Sequence, residues 1–158
     1  MGYEYRGKTN GPGAIAPVWW LRQVAKYAVT QIPRGRVQLA IHLYGYDWGG
    51  KETPALWWNE VIALKEKWSG EIRAAADDPR GIVGESVMTY ALPSPAPRCS
   101  RHDPDCTPPG RERHTVYFVD ARYVAAVWEI ISDYKLGGIV LWRPGGEDPA
   151  IWDVFKNE

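Results

Sequence analysis

The sequence predicts an α/β architecture. Three observations carry it. Apolar strand-like runs alternate with amphipathic helical ones, in the order strand end, helix, strand, insertion, helix, strand, helix. The run Ile139 to Trp142 is short and wholly apolar, as in a parallel sheet covered on both faces. One long interruption rich in proline separates the two halves of this alternation, and no internal repeat accompanies it.

Taken in order, Met1-Gly2-Tyr3-Glu4-Tyr5 reads as the end of a strand, and Gly11-Pro12-Gly13 as a turn. Pro17 opens a helix at its first position, and Leu21, Val24, Ala25 and Ala28 form its apolar stripe. Ile32-Pro33-Arg34-Gly35 stops it. Val37, Leu39, Ile41 and Leu43 alternate with Gln38, Ala40 and His42, so Val37 to Tyr44 is one strand, with Gly45 to Trp48 as its exit. Helix then strand, behind a strand end, is the tail of a β-α-β unit. Trp57 to Trp68 is a helix with Val61, Leu64 and Trp68 on one side, ended by Gly70. Weak alternation over 71–90 allows short strands. Residues 91–113 hold six of the thirteen prolines and both cysteines, and read as an exposed loop. His114 to Val119 is a strand. Asp120 caps a helix that buries Val124, Val127, Trp128 and Ile131, with Gly137 just past its end. Asp148-Pro149 opens a last helix burying Ile151, Trp152 and Phe155.

Composition narrows the function. A chain of 158 residues is long enough for one domain with a sizeable core. Nineteen basic and nineteen acidic residues cancel, which gives no support to nucleic acid or an acidic membrane as partner. No apolar run is long enough to span a bilayer. Nine Trp and nine Tyr stand against two Phe. Both favoured rings combine a flat apolar face with a polar edge, which suits the C–H face and hydroxyl rim of a sugar. Placed just past the ends of buried strands, such rings can line a sugar-binding barrel, although any single one can equally be core. Cys99 and Cys106 lie in the proline-rich loop. A local disulfide is the first reading; two free thiols, or a metal site with His102, Asp103 and Asp105, are the alternatives, although the spacing fits no zinc pattern.

Four segments in register carry a resemblance. Met1-Gly2-Tyr3-Glu4 resembles the Met-x-Tyr-Asp motif at the sixth barrel strand of glycoside hydrolase family 18, in the branch of bacterial chitinase-like and spore-cortex peptidoglycan hydrolases. Leu39 to Trp48 is similar to that branch's seventh strand and its exit. His114 to Ala121 resembles the segment that closes the family's small insertion, and Gly138 to Trp142 with Gly146-Glu147-Asp148 the eighth strand and its exit. The resemblance implies the C-terminal portion of a (β/α)8 barrel with an α+β insertion after strand seven. Residues 1–47 would run from the end of strand six to strand seven, 48–119 would form the insertion, and 120–158 would run from helix seven to helix eight.

It also implies a substrate, a β-1,4-linked polymer containing N-acetylglucosamine, and retaining hydrolysis assisted by the substrate's own acetamido oxygen. By position, Tyr3 would hold the acetamido group and Trp142 would floor the sugar at the cleavage site. Glu4 would hydrogen-bond the substrate, and Tyr44, Asp47 and Trp48 would line the cleft. The structural alternatives are a frayed terminal Tyr3, a core Trp142, and a barrel rim capped by Tyr44, Asp47 and Trp48. Glu147-Asp148 reads as a helix cap, and His42 and His114 as structural histidines. No metal or organic cofactor is implied. The implied location is secreted or associated with the cell wall.

The departures matter as much. The family's proton donor sits in an Asp-x-x-Asp-x-Asp-x-Glu motif on strand four, and this chain contains no such spacing. The family's Asp is Glu4, whose extra methylene shifts the carboxylate by roughly 1.5 Å. Its usual glycine and proline on strand seven are Ala40 and His42. A barrel of this type needs about 250 residues. The expectation is therefore a chain whose Met1 lies inside a longer barrel, inactive alone, which upstream coding sequence would test. Self-association through open barrel edges, completion by a partner chain, and a non-catalytic chitin- or peptidoglycan-binding module are the other readings.

Overall fold

The structure is a computed structural model that describes residues 1–75, 84–93 and 110–156. Its strands fall into two sheets. The first is a parallel pair, β1 (Gln38–His42) with β7 (Gly138–Trp142), in the register Gln38↔Gly138 to His42↔Trp142. The second has five antiparallel strands in the order β3-β2-β6-β5-β4. These are β2 (Tyr44–Trp48), β3 (Ala55–Trp57), β4 (Glu71–Ala74), β5 (Ser86–Pro93) and β6 (Arg111–Phe118).

Helices α1 (Val18–Gln31), α3 (Ala121–Tyr134) and α4 (Ile151–Val154) cover one face of the parallel pair. Leu21 and Ala25 of α1, Leu39 and Ile41 of β1, and Val124, Val127 and Ile131 of α3 share one core. The 3.6-residue period of the helices and the period of two in β1 meet there. Asp120 caps α3 as its side chain accepts from the backbone N–H of Arg122 and Tyr123. Helix α2 (Trp58–Trp68) covers the second sheet, with Val61 against Met88, Val116 and Phe118.

Several expectations are corrected. Pro17 is the N-cap of α1 rather than its first residue. The single strand over 37–44 breaks at Leu43, whose N–H donates to the Trp142 carbonyl at 2.7 Å. Tyr44 then begins a strand of the other sheet, so the insertion's sheet starts at Tyr44 instead of after Asp47. Gly45 permits this crossing, because a Cβ there would lie 2.4 Å from the Tyr117 carbonyl oxygen. Residues 91–93 and 111–113 are paired strand, up to Pro93↔Arg111, rather than loop. The left-handed turns that end α2 and α3 fall on Ser69 and Lys135, not on Gly70 or Gly137. Strand β7 is not covered on both faces: Val140 is 41 % and Trp142 54 % exposed. Trp152 is 43 % exposed, its indole N–H turned to Glu147 instead of into the core. Cys99 and Cys106, with His102, Asp103 and Asp105, lie outside the described residues.

Candidate functional site

Four of the residues singled out in the sequence, Tyr3, Glu4, Tyr44 and Trp142, gather near the ends of β1 and β7. His42 and Trp142 are register partners there, and Tyr3 packs beside His42 and Tyr44, its ring 6.2 Å and 6.5 Å from theirs. The entry segment is held in place by Gly2, whose N–H donates to the Ala40 carbonyl at 2.6 Å. The Tyr3 hydroxyl meets the Met1 sulfur at 2.8 Å. Trp142, Arg143, Tyr44, Ala55, Leu56 and Trp57 line a cleft of about 210 Å³.

Glu4 lies at the rim of this cluster with φ of 65°. A left-handed backbone is uncommon for a residue with a side chain, and such outliers collect at functional sites. One Glu4 oxygen accepts from both the Tyr44 and the Tyr46 hydroxyl, the latter at 2.6 Å. Burial, then the hydrogen bond to Glu4, raises both phenols, Tyr46 to about 12 and Tyr44 further. Both phenols therefore remain donors throughout the physiological range.

Strand alternation divides the segment 44–48. Tyr44, Tyr46 and Trp48 share one face in a run of ring contacts, 5.3 Å and then 5.7 Å between centroids. Trp48 is buried and donates its indole N–H to the Lys8 carbonyl at 3.0 Å, beneath the entry segment. Asp47 points to the other face, is buried, and accepts from the Tyr90 hydroxyl at 2.5 Å. The His114 Nδ1 lies 2.9 Å from the other Asp47 oxygen, and the His114 ring stacks on Tyr90. The structure thus brings Tyr3, Glu4, Tyr44 and Trp142 together, while Trp48 packs beneath them and Asp47 serves the interior of the second sheet.

His42 and Glu85 sit behind the cluster, both fully buried. The Glu85 carboxylate accepts from the N–H of Ile15 at 3.0 Å and of Ala16 at 2.7 Å, joining the second sheet to the segment that leads into α1. His42 Nε2 is 3.5 Å from Glu85, and neither ring nitrogen has a hydrogen-bond partner. Burial pushes the imidazole down to about 3, so it is neutral. On the far side, Glu147 accepts from the N–H of Gly145 at 2.5 Å and Gly146 at 3.0 Å, which holds its carboxyl below the usual range. Asp148 accepts from Ala121 and Ala150. These two acids fold the loop after β7 and tie it to α3. Among the described residues, no group of three or more His, Cys, Asp or Glu is placed to hold a metal ion, and no helix is long and apolar enough to cross a membrane.

Sequence reasoning missed Glu85, Tyr46 as a partner of Glu4, and the pairing of Trp57 with Arg143. Glu85 offers no signal in one dimension, since a lone acid beside a strand is ordinarily solvated. Arg143 follows Trp142 directly, and that adjacency was the available cue.

No family model matches the chain. The cortical fragment-lytic enzyme of Bacillus subtilis (strain 168) is 27 % identical over 164 residues, spanning 100 % of this chain and 33 % of that protein. The putative sporulation-specific glycosylase YdhD of the same organism is 26 % identical, over 99 % of this chain and 34 % of its own length. The chain thus spans about a third of the length of these curated relatives. Among solved structures, a chitinase from Chromobacterium violaceum ATCC 12472 superposes with a TM-score of 0.75 at 27 % identity, over 99 % of this chain and 43 % of that one. The Bacillus cereus spore cortex-lytic enzyme shares the fold, with a TM-score of 0.77 at 23 % identity over 99 % of this chain and 33 % of its own. In sequence and in fold the chain is a relative of the spore cortex-lytic enzymes and chitinases of the family 18 type, corresponding to the C-terminal part of their (β/α)8 barrel.

Proposed function

We propose that this chain forms part of the sugar cleft of a glycosidase acting on a β-1,4-linked polysaccharide that contains N-acetylglucosamine, either chitin or peptidoglycan. The observation that carries the reading is Trp142, 54 % exposed at the end of a parallel strand, with Tyr44 lining the same cleft and Tyr3 packed against Tyr44. A large ring left in water at a strand end, flanked by phenols, offers stacking and hydrogen bonds together. The names of the relatives, cortical fragment-lytic enzyme and chitinase, support the same substrate class. In this reading Trp142 floors the sugar, and Tyr3 turns its hydroxyl from Met1 to the acetamido group. Glu4, oriented by Tyr44 and Tyr46, accepts from the substrate through its second oxygen. Hydrolysis proceeds with retention, the acetamido oxygen attacking the anomeric carbon. A role at the cell wall follows from the same relatives.

The chain by itself is expected not to cleave. Glu4 is the carboxylate beside the cleft, and two phenols already donate to it. General acid help is worth about 10²–10⁴-fold, and among the described residues no positioned donor supplies it. Measurable hydrolysis of chitin oligosaccharides by the purified chain would overturn that expectation. The cleft itself is tested by retention on insoluble chitin and on peptidoglycan. Retention that Trp142→Ala abolishes supports it; no retention, or retention unchanged by the substitution, counts against it. A binding module without catalysis predicts the same retention.

A second reading has its own observation. Strand β7 pairs with β1 alone among the described strands, and Val140 is 41 % exposed on it. Further strands, from a partner or from a second copy, would complete such an edge.

A further inference from the structure

We infer that Arg143, held over Trp57, is a carboxylate receptor in the Trp142 cleft, selecting a glycan that carries an acidic substituent such as the lactyl ether of N-acetylmuramic acid. The inference rests on the sugar-cleft reading above and names the feature of the sugar that the cleft distinguishes.

The guanidinium carbon of Arg143 lies 5.1 Å from the Trp57 ring centroid. That contact holds the group over the ring without neutralising its charge. Among the described residues no carboxylate forms an ion pair with Arg143. The nearest acid in sequence, Glu147, is committed to the N–H groups of Gly145 and Gly146. Glu4, at the Tyr44 end of the cleft, is committed to Tyr44 and Tyr46. Arg143 is therefore an exposed cation with no ion-pair partner among the described residues.

Its position is built rather than incidental. The Asn59 N–H, in the first turn of α2, donates to the Gly146 carbonyl at 3.1 Å. A Cβ on Gly146 would come 2.7 Å from the Trp57 Cβ, so the loop after β7 lies tight against the start of α2. Arg143 from that loop and Trp57 from β3 are thereby held together, beside the exposed face of Trp142. A planar guanidinium with free N–H edges matches a carboxylate in a two-point contact. A neutral sugar offers only uncharged acceptors, its hydroxyl and acetamido oxygens, which gain less from the guanidinium than a carboxylate does. The protein's net charge is zero, so a preference for an anionic glycan would have to arise locally.

Equilibrium binding of the purified chain to three soluble tetrasaccharides tests this. The first is an alternating N-acetylglucosamine–N-acetylmuramic acid oligomer, the second the same oligomer with its lactyl carboxyl reduced to the alcohol, and the third chitotetraose. The expected ratio of affinities, carboxylate over alcohol, is about five- to tenfold at low salt and shrinks with added salt. Arg143→Gln should bring that ratio to about one, and Arg143→Lys should keep part of it. A ratio near one in the unaltered chain, or one that persists in Arg143→Gln, overturns the assignment while chitotetraose binding leaves the sugar cleft standing. Failure to bind any of the three overturns both.

Discussion

The two sheets treat their polar groups differently. In the five-stranded sheet, covered by α2, both oxygens of buried Asp47 are met, by Tyr90 and by Nδ1 of His114, and only the far ring nitrogen of His114 is left without a partner. In the parallel pair, His42 is fully buried with no hydrogen-bond partner on either nitrogen, and the neighbouring strand β7 leaves Val140 and Trp142 in water. The five-stranded sheet pairs its buried acid internally; the parallel pair has helices on one face and exposed groups at its strand ends. The candidate site residues gather around the parallel pair. Interactions that only stabilise can be satisfied within the fold, whereas a site must keep surface and hydrogen-bonding capacity for what it binds.

The largest expected effect lies at the seam between the two. Glu85 is the buried acid whose two oxygens hold the N–H of Ile15 and Ala16. Glu85→Ala strands both donors away from water, and a loss of about 3–5 kcal/mol is expected in urea unfolding. Glu85→Gln keeps one acceptor and should lose less. If Glu85→Ala unfolds at the same urea concentration as the unaltered chain, the two sheets are not joined there.

Next in size is the closed network itself. Asp47→Ala leaves the Tyr90 hydroxyl and His114 without their acceptor inside the second sheet. A loss of about 2–3 kcal/mol is expected. Trp142→Ala, on an exposed ring, should change stability by less than about 0.5 kcal/mol while removing sugar retention. A reversal of that order would mean that Asp47 belongs to the cleft and Trp142 to the core.

The open region should also be the acid-sensitive one. Unfolded, His42 takes up a proton near its ordinary value of 6.5; folded, burial delays this to about 3. Between these values the unfolded chain binds the extra proton, so stability falls as pH falls, by about 1.4 kcal/mol per pH unit. The groups facing the ring are Glu85, Tyr3, Tyr44 and Tyr123. His42→Phe should flatten this part of the profile when unfolding is measured between pH 7 and pH 5. An unchanged slope would show that His42 is not the group responsible.

How much of this was legible in the sequence follows the same division. The helices α1, α2 and α3 were readable because each repeats its apolar residues every three or four positions against a single core. Strand β2 was not, because Tyr44-Gly45-Tyr46-Asp47-Trp48 contains a glycine and an acid where a strand pattern wants apolar residues. Gly45 is there for the close approach of Tyr117, and Asp47 for Tyr90 and His114, neither of which is near in sequence. Tyr3, Glu4 and Trp142 could be named through a family likeness, and the structure sets them at one end of the parallel pair. Glu4's tie to Tyr44 and Tyr46, the buried position of Glu85, and Arg143 over Trp57 depend on contacts between distant segments, which no local pattern encodes.

The smallest change tests the open edge alone. Val140 is 41 % exposed on β7, and a lysine there is a charge of the kind that protects natural sheet edges from pairing. Val140→Lys removes little buried surface, so its effect on stability should stay within about 0.5 kcal/mol. Its effect on association should be larger than its effect on folding. The unaltered chain is expected to sediment faster as its concentration rises, and Val140→Lys to sediment at a constant rate. If the unaltered chain is already a concentration-independent monomer, β7 is adequately shielded as it stands. The contrast between the two sheets would then be confined to the strand ends, at His42 and Trp142.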